Sequence, residues 1–297
     1  MRIECSSMFF TPDNCSSKIR DISGFLKSHG FGFGIQLHNS ISRDLYNVLL
    51  PYRGEFQFTI HSPAFSKYFV NLASGNVELA LSILKECDTL TAQWNSNLMF
   101  FHGFFLAHSP IVHDMKNYRK VMRQSIGPQY ALNNSFIMDP AIFATDQFAE
   151  FKQYFVTNIE RVKECFPHKV ISLENDFPGM GSGLQRPEEI HELIENVWFD
   201  LGHFWCSSLL HGFDFHQESL RLIDEKKIVG VHLNHNLCTT DTPREQLNDS
   251  HTHFYNESAM NLPPIIRKIV DSGIDSLTLE IVDGDIDDVR ILVDWIL

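Results

Sequence analysis

The sequence predicts one α/β domain, a (β/α)8 TIM barrel spanning residues 1–297. Three observations carry that reading. Eight apolar, β-branched runs alternate with segments of helical pattern, which argues for a parallel sheet, and a count of eight argues for closure. Met8–Ser17, directly after the first run, contains no G-x-G-x-x-G, the phosphate loop usual in open doubly wound sheets. The length of 297 residues suits a barrel of roughly 250 residues with room for one long excursion.

In chain order, the first strand is expected over Ile3–Met8. Ser16-Ser17 then precede a helix over Lys18–His29, closed by Gly30. Strands follow at Phe33–His38 and Phe56–His61. Leu72–Trp94 places Val77, Leu81 and Leu84 at helical spacing, and Leu98–His102 is the fourth strand. The stretch from about 103 to 146 is too long for a simple connection and has no strong period, so it reads as an excursion on the catalytic face. Phe148, Phe151, Phe155, Ile159 and Val162 share one face of a helix over Gln147–Phe166, and Val170–Glu174 is the fifth strand. Pro187-Glu188-Glu189 opens a helix with proline at its first position and acids in its first turn. Val197–Asp200, Ile228–Leu233 and Ser276–Ile281 complete the strands. Pro264–Ser272, capped by Gly273, and Asp285–Leu297 complete the helices.

With 43% hydrophobic and 21% charged residues the chain has an ordinary globular composition, and at this size a core needs neither disulfides nor a structural metal. The net charge of −13 disfavours wrapping nucleic acid through bulk attraction, although a local basic stripe or metal cluster could still bind phosphate. No apolar run is long enough to predict a membrane span. Met1–Phe10 carries Glu4 and no basic segment before an apolar core, so no secretory signal is expected. The six scattered cysteines lack a C-x-x-C pair and read as reduced thiols of a cytoplasmic protein.

The strand ends hold the chemistry. His61, His102, Glu174, Asp200 followed by His203, His232 and Glu280 stand at the C-terminal ends of six consecutive expected strands. In a barrel those ends converge on the rim that carries the active site. Imidazoles and carboxylates gathered there would repel or stay unsatisfied without a cation, so a divalent metal is the economical explanation. Asp249-x-His251, after the seventh strand, is a further candidate pair. His211, His235 and His253 read as surface histidines.

These residues give the chain a family resemblance. It resembles the xylose isomerase-like barrels, which also include the endonuclease IV-type nucleases, from about Phe33 to Glu280. His61-Ser-Pro with Asn71-Leu-Ala-Ser is similar to the third-strand motif, His102-Gly to the fourth and Glu174-Asn to the fifth. Asp200-Leu-Gly-His203, His232-Leu-Asn and Leu-Glu280 are similar to the sixth, seventh and eighth, and Asp249-Ser-His251 to the D-x-H before a glycine turn.

The resemblance implies two chemistries. In sugar isomerases and epimerases of this type Glu174, Asp200, His232 and Glu280 would hold one divalent ion, with Glu174 and Glu280 moving a proton and His203 bonding the substrate. In the nuclease type His61, His102, His203, Asp249 and His251 join them around three zinc ions that act on phosphodiesters at abasic sites. The surroundings favour the first. Asp200-Leu-Gly-His203 replaces the nuclease D-T-C-H, His235 stands where the nuclease has an acid, and Thr252–Glu257 replaces the glycine turn.

The expectation is therefore a sugar or sugar-phosphate isomerase or epimerase using zinc, manganese or magnesium, one ion favoured and up to three possible. An abasic-site endonuclease is the alternative, and a ligand-binding barrel without catalysis is a third reading. The expected partners are a small sugar or sugar phosphate and a second copy of the chain in a homo-oligomer. DNA enters only under the alternative, and no membrane is expected.

Overall fold

Eight parallel strands close in sequence order, with β8 pairing back onto β1. A computed structural model describes all residues from 1 to 297. The strands are β1 (Arg2–Ser6), β2 (Gly32–Leu37), β3 (Gln57–Ser62), β4 (Leu98–Phe101), β5 (Val170–Glu174), β6 (Asn196–Asp200), β7 (Lys227–Leu233) and β8 (Ser276–Leu279). After β1, β2 and β3 come α1 (Cys15–Ser28), α2 (Arg43–Leu49) and α3 (Val77–Gln93). After β4 come α4 (Tyr118–Ile126) and α5 (Asp146–Cys165), and after β5 α6 (Pro187–Leu193). After β6 come α7 (Leu201–His211) and α8 (Phe215–Glu225), then α9 (Pro263–Asp271) after β7 and α10 (Ile286–Ile296) after β8.

Every expected strand is present, and no end is displaced by more than two residues. The helix expected from Leu72 begins at Val77. Asn71 holds the intervening loop: its side chain donates to the carbonyls of Phe105 and Ala107 and accepts from the N–H groups of Ala73 and Phe105. Asn76 then caps the helix by accepting from Leu79 N–H. Helices α2, α4, α7 and α8 were not expected. Most of α7, from Leu201 to Ser208, is buried on every side, so it shows no amphipathic period. The seven residues of α2 are too few to show one.

The barrel interior is plugged under its C-terminal rim by Phe100 and Trp198, whose rings stack at 4.0 Å. The plug requires Gly230, because a Cβ there would lie 2.4 Å from the Trp198 ring. At the opposite end Glu4 is buried, bonded by Arg2 and by the hydroxyls of Thr59 and Thr278, the satisfied kind of polar core that serves stability. The segment between β4 and α5 folds over the rim. Phe105 bridges Ser182 and Ile137 bridges Gly179 in the loop that follows β5.

Candidate metal centre

Strand pleating points alternate side chains inward, and the last inward residue of each strand meets its counterparts on the rim. Glu174 ends β5, Asp200 ends β6, His232 lies one residue from the end of β7 and Glu280 follows β8. Their ligand atoms lie within 4.8 Å of one another, and all four residues are buried. Donors on opposite sides of an ion with bonds of about 2.0–2.3 Å are separated by up to about 4.6 Å, so this is the size of one coordination shell. His232 Nδ1 is central, 2.7 Å from Glu174 Oε1, 3.3 Å from Glu280 Oε2 and 3.5 Å from Asp200 Oδ2.

The other sequence candidates form two flanking groups. His61, His102 and Glu174 make one, with Glu174 shared with the central four, and His203, Asp249 and His251 make the other. His61 Nε2 approaches Glu174 Oε2 at 2.9 Å and His102 Nε2 at 3.5 Å. The Asp249 carboxylate lies 3.0 Å from His203 Nε2 and 2.8 Å from His251 Nε2. All nine sequence candidates therefore come together on one rim.

Two features test whether a cation fits. Buried oxygens of four different carboxylates, Glu174 Oε2, Asp200 Oδ2, Asp249 Oδ1 and Glu280 Oε1, accept no hydrogen bond. The His61 approach to Glu174 is close but not directed as a hydrogen bond, as expected of two groups aimed at a third. An orphaned buried polar group costs about 1–3 kcal/mol and more when charged, so four at one place call for a common partner. The ring orientations agree. His102 Nδ1 faces Asp176, while the Nδ1 atoms of His203 and His251 donate to the carbonyls of Asn175 and Glu280. His232 Nε2 faces Gln36 Oε1. In each ring the outer nitrogen is held by an acceptor, which leaves the inner nitrogen a lone pair for a metal. The donor set fits a divalent ion.

The charges are mutually supporting. Burial alone would raise Glu174, yet His232, His102 and His61 outweigh it and hold the carboxyl well below its usual range. Burial alone would lower His232, yet Glu174 and Glu280 keep it well above the ordinary imidazole value. Burial also opposes the proton on His251, and the Asp249 carboxylate overcomes it, pushing that group up to about 10.

Local sequence explains the positioning. Asp200 also caps α7, accepting from the His203 N–H at 2.6 Å. The glycine between them has a specific purpose: a Cβ on Gly202 would lie 2.4 Å from Asn234 Oδ1. His251 adopts a left-handed backbone, φ 39°, a strained conformation for a residue other than glycine.

His203, expected to bond substrate, lies on a cavity floor, where its Nδ1 donates to the Asn175 carbonyl and its Nε2 faces the Asp249 carboxylate. Other positions differ from expectation. His235 is not on the surface. It is buried beside Phe254 and Trp295, with Nδ1 donating to the Asn256 carbonyl. His253 is half-buried and pairs with Asp288, and His211 is half-buried against Gln185. Burial stabilises such rings when a carbonyl or carboxylate takes their proton.

His38 was missed, although it ends the second expected strand by the same rule as the others. Its Nε2 is 3.5 Å from Glu280 Oε1. Its Nδ1 is held by the hydroxyl and N–H of Ser40, and Nε2 faces the site. With His61 and Glu280, His38 forms a third group beside the centre that could hold an ion. Asp176 was also missed, two residues beyond Glu174.

A cavity of about 580 Å³ opens above these groups. His38, His61, His102, His203, His251, Asp249 and Glu280 form its floor, and Met115–Lys120 and Phe136 of the β4–α5 segment form its mouth. Glu174, Asp200 and His232 lie one layer deeper. Burial first, then the Asp176 and Asp249 carboxylates, push the Tyr118 hydroxyl up, which places the mouth close over the floor.

No protein-family model matches the sequence, and no curated protein is detectably similar to it. Solved structures are similar in fold. A D-psicose 3-epimerase from Clostridium cellulolyticum H10 matches at a TM-score of 0.57 and 11% identity, covering 100% of this chain and 96% of that one. A 3-keto-D-glucoside 4-epimerase from E. coli matches at 0.53 and 12%, covering 100% and 98%. A xylose isomerase domain protein from Planctomyces limnophilus matches at 0.52 and 11%, covering 100% and 95%.

Proposed function

We infer that the closed eight-stranded barrel is of the xylose isomerase-like kind anticipated from the strand-end residues, a reading supported by its likeness in fold to a D-psicose 3-epimerase and a xylose isomerase domain protein. We propose that the protein is a divalent-metal-dependent isomerase or epimerase of sugars or sugar phosphates. The observation that carries the proposal is the set of four orphaned carboxylate oxygens on the rim of a barrel shared with sugar epimerases. Glu174, Asp200, His232 and Glu280 would hold the ion. Zinc, manganese and magnesium all suit some of this oxygen and imidazole set.

When bound, the ion supplies Lewis acidity to a carbonyl and its neighbouring hydroxyl. The rest falls to the chain. Glu280 is the carboxylate of the central four that reaches the cavity, so it takes the proton from the carbon beside the carbonyl. His38, whose Nε2 faces the site, bonds substrate oxygen or steadies Glu280. Glu174, held ionised one layer deeper behind His61 and His102, has no proton to give and would serve as a ligand, so Glu280 returns the proton it took to the neighbouring carbon. His203 fixes Asp249 and, on the cavity floor, would also bond the substrate.

The reading predicts exchange of solvent deuterium into a ketose or its phosphate, dependent on added metal and abolished by chelator. Absence of exchange across a panel of ketoses, aldoses and their phosphates would defeat it.

The two flanking ligand groups favour a second reading, the three-metal phosphodiesterase. Metal counted per chain, with nicking of a duplex bearing an abasic site, separates the two. One ion with exchange supports the isomerase, and three ions with chelator-sensitive nicking support the nuclease.

Proton competition gives an independent check. With His251 pushed up to about 10, that ring carries its proton at pH 7 in the metal-free protein. An ion entering the flanking group must displace it, so affinity there rises with pH, up to about tenfold per unit for each proton released. Calorimetric titration in two buffers of different ionisation enthalpy should show proton release, and a pH-independent affinity would contradict this ligand assignment.

A further inference from the structure

We propose that Lys116, Arg119 and Lys120 form a subsite for the phosphate group of a phosphorylated sugar, so that the substrate of the site below is a sugar monophosphate. The inference rests on the isomerase reading and deepens it by naming the substrate class.

Lys116 lies in a short 3-10 turn and Arg119 and Lys120 in the first turn of α4, and all three line the mouth of the cavity whose floor holds His38 and Glu280. Lys152, Arg161 and Lys163 on α5 are each paired with a glutamate, and Arg123, also on α4, donates to the Asn134 carbonyl. Lys116, Arg119 and Lys120 have no carboxylate within ion-pair distance. Asp114, close in sequence, is already occupied by the N–H and side chain of Asn117. Arg119 is steadied by the Asn248 side chain and lies over the Phe136 ring, which leaves part of its guanidinium free.

In a chain of net charge −13, three unpaired cations at the mouth of an acidic site mark a position for negative charge. A phosphate monoester carries about −1.5 to −2 at neutral pH and three acceptor oxygens, more than a single carboxylate offers. Arginine matches two such oxygens at once, with lysines completing the charge. The phosphate would sit at the mouth while the carbonyl end reaches Glu280 and His38. A cavity of about 580 Å³ accommodates a small molecule extended between the two.

The test uses the metal-loaded full-length protein and solvent-proton exchange with paired substrates, fructose against fructose 6-phosphate and ribulose against ribulose 5-phosphate. We expect kcat/KM for a phosphate ester to exceed that for its free sugar by about 100-fold, through KM. In Lys116→Ala/Arg119→Ala/Lys120→Ala that ratio should fall by about tenfold or more. Lys116→Arg/Lys120→Arg should retain it, which separates charge from folding. Salt should raise KM for the esters alone. Equal use of free and phosphorylated sugars by the native protein, or a ratio unchanged by the triple substitution, would overturn the proposal while leaving the isomerase reading intact.

If no sugar of either kind exchanges, the isomerase reading fails, and inorganic phosphate then judges the subsite. It should bind the chelator-treated protein and bind the triple variant about tenfold more weakly. Unchanged or absent phosphate binding overturns the subsite. Rim-dependent binding of an abasic duplex without binding of sugar phosphates also overturns it, in favour of nucleic acid.

Discussion

Glu174→Gln is expected to abolish turnover and strip metal from the protein while leaving the barrel folded. The substitution keeps shape but removes the charge that His232, His102 and His61 surround, and with it one oxygen of the carboxylate whose Oε1 faces the central group and Oε2 the first flanking group. Losing a residue that merely orients a ligand costs about 10–100-fold in metal affinity or activity, so loss of the shared ligand should exceed that range. Metal content by elemental analysis and exchange kinetics on the same preparation read both effects. An active, fully loaded Glu174→Gln protein would remove Glu174 from the centre. Asp176→Asn, which weakens the acceptor behind His102 Nδ1 and touches no member of the central four, should give the smaller, orienting loss.

Chelation should lower the melting temperature by several degrees, and restoring metal should recover it. Four buried carboxylate oxygens accept no hydrogen bond within the chain, so the folded state gains from an ion what the unfolded state cannot. One ion at a hundred times its dissociation constant contributes about 2.7 kcal/mol. For a chain of this size that corresponds to roughly 5 °C. The shift should grow with the number of ions, so a titration against zinc, manganese and magnesium also counts sites. A melting temperature indifferent to chelator and to all three metals would mean that the orphaned oxygens are tolerated without a cation.

Much of this was legible in the sequence because the period of a strand is two. An apolar run broken by one polar residue at its C-terminal end reads directly as an inward strand with its last side chain on the rim. His61, Glu174, Asp200, His232 and Glu280 were found that way. His38 fits the same pattern but lies outside the motifs of the resemblance, and was passed over. Helices α7 and α8 were invisible for a different reason: α7 is buried almost all round and shows no polar face, and without its boundary α8 could not be separated from the loop.

The sequence by itself determined the barrel, the order of its strands and the residue types gathered at the rim, because alternation and helix spacing are local properties of the chain. Only the tertiary structure decided how those residues are used. The nitrogen that each histidine turns inward depends on acceptors far away in sequence, Gln36 for His232 and the Glu280 carbonyl for His251. The need for glycine at 202 depends on Asn234, and the cations of α4 face the site only because the segment after β4 packs on the loop after β5. Hydrogen bonds and charge act through space, so their partners are set by closure of the barrel and not by distance along the chain.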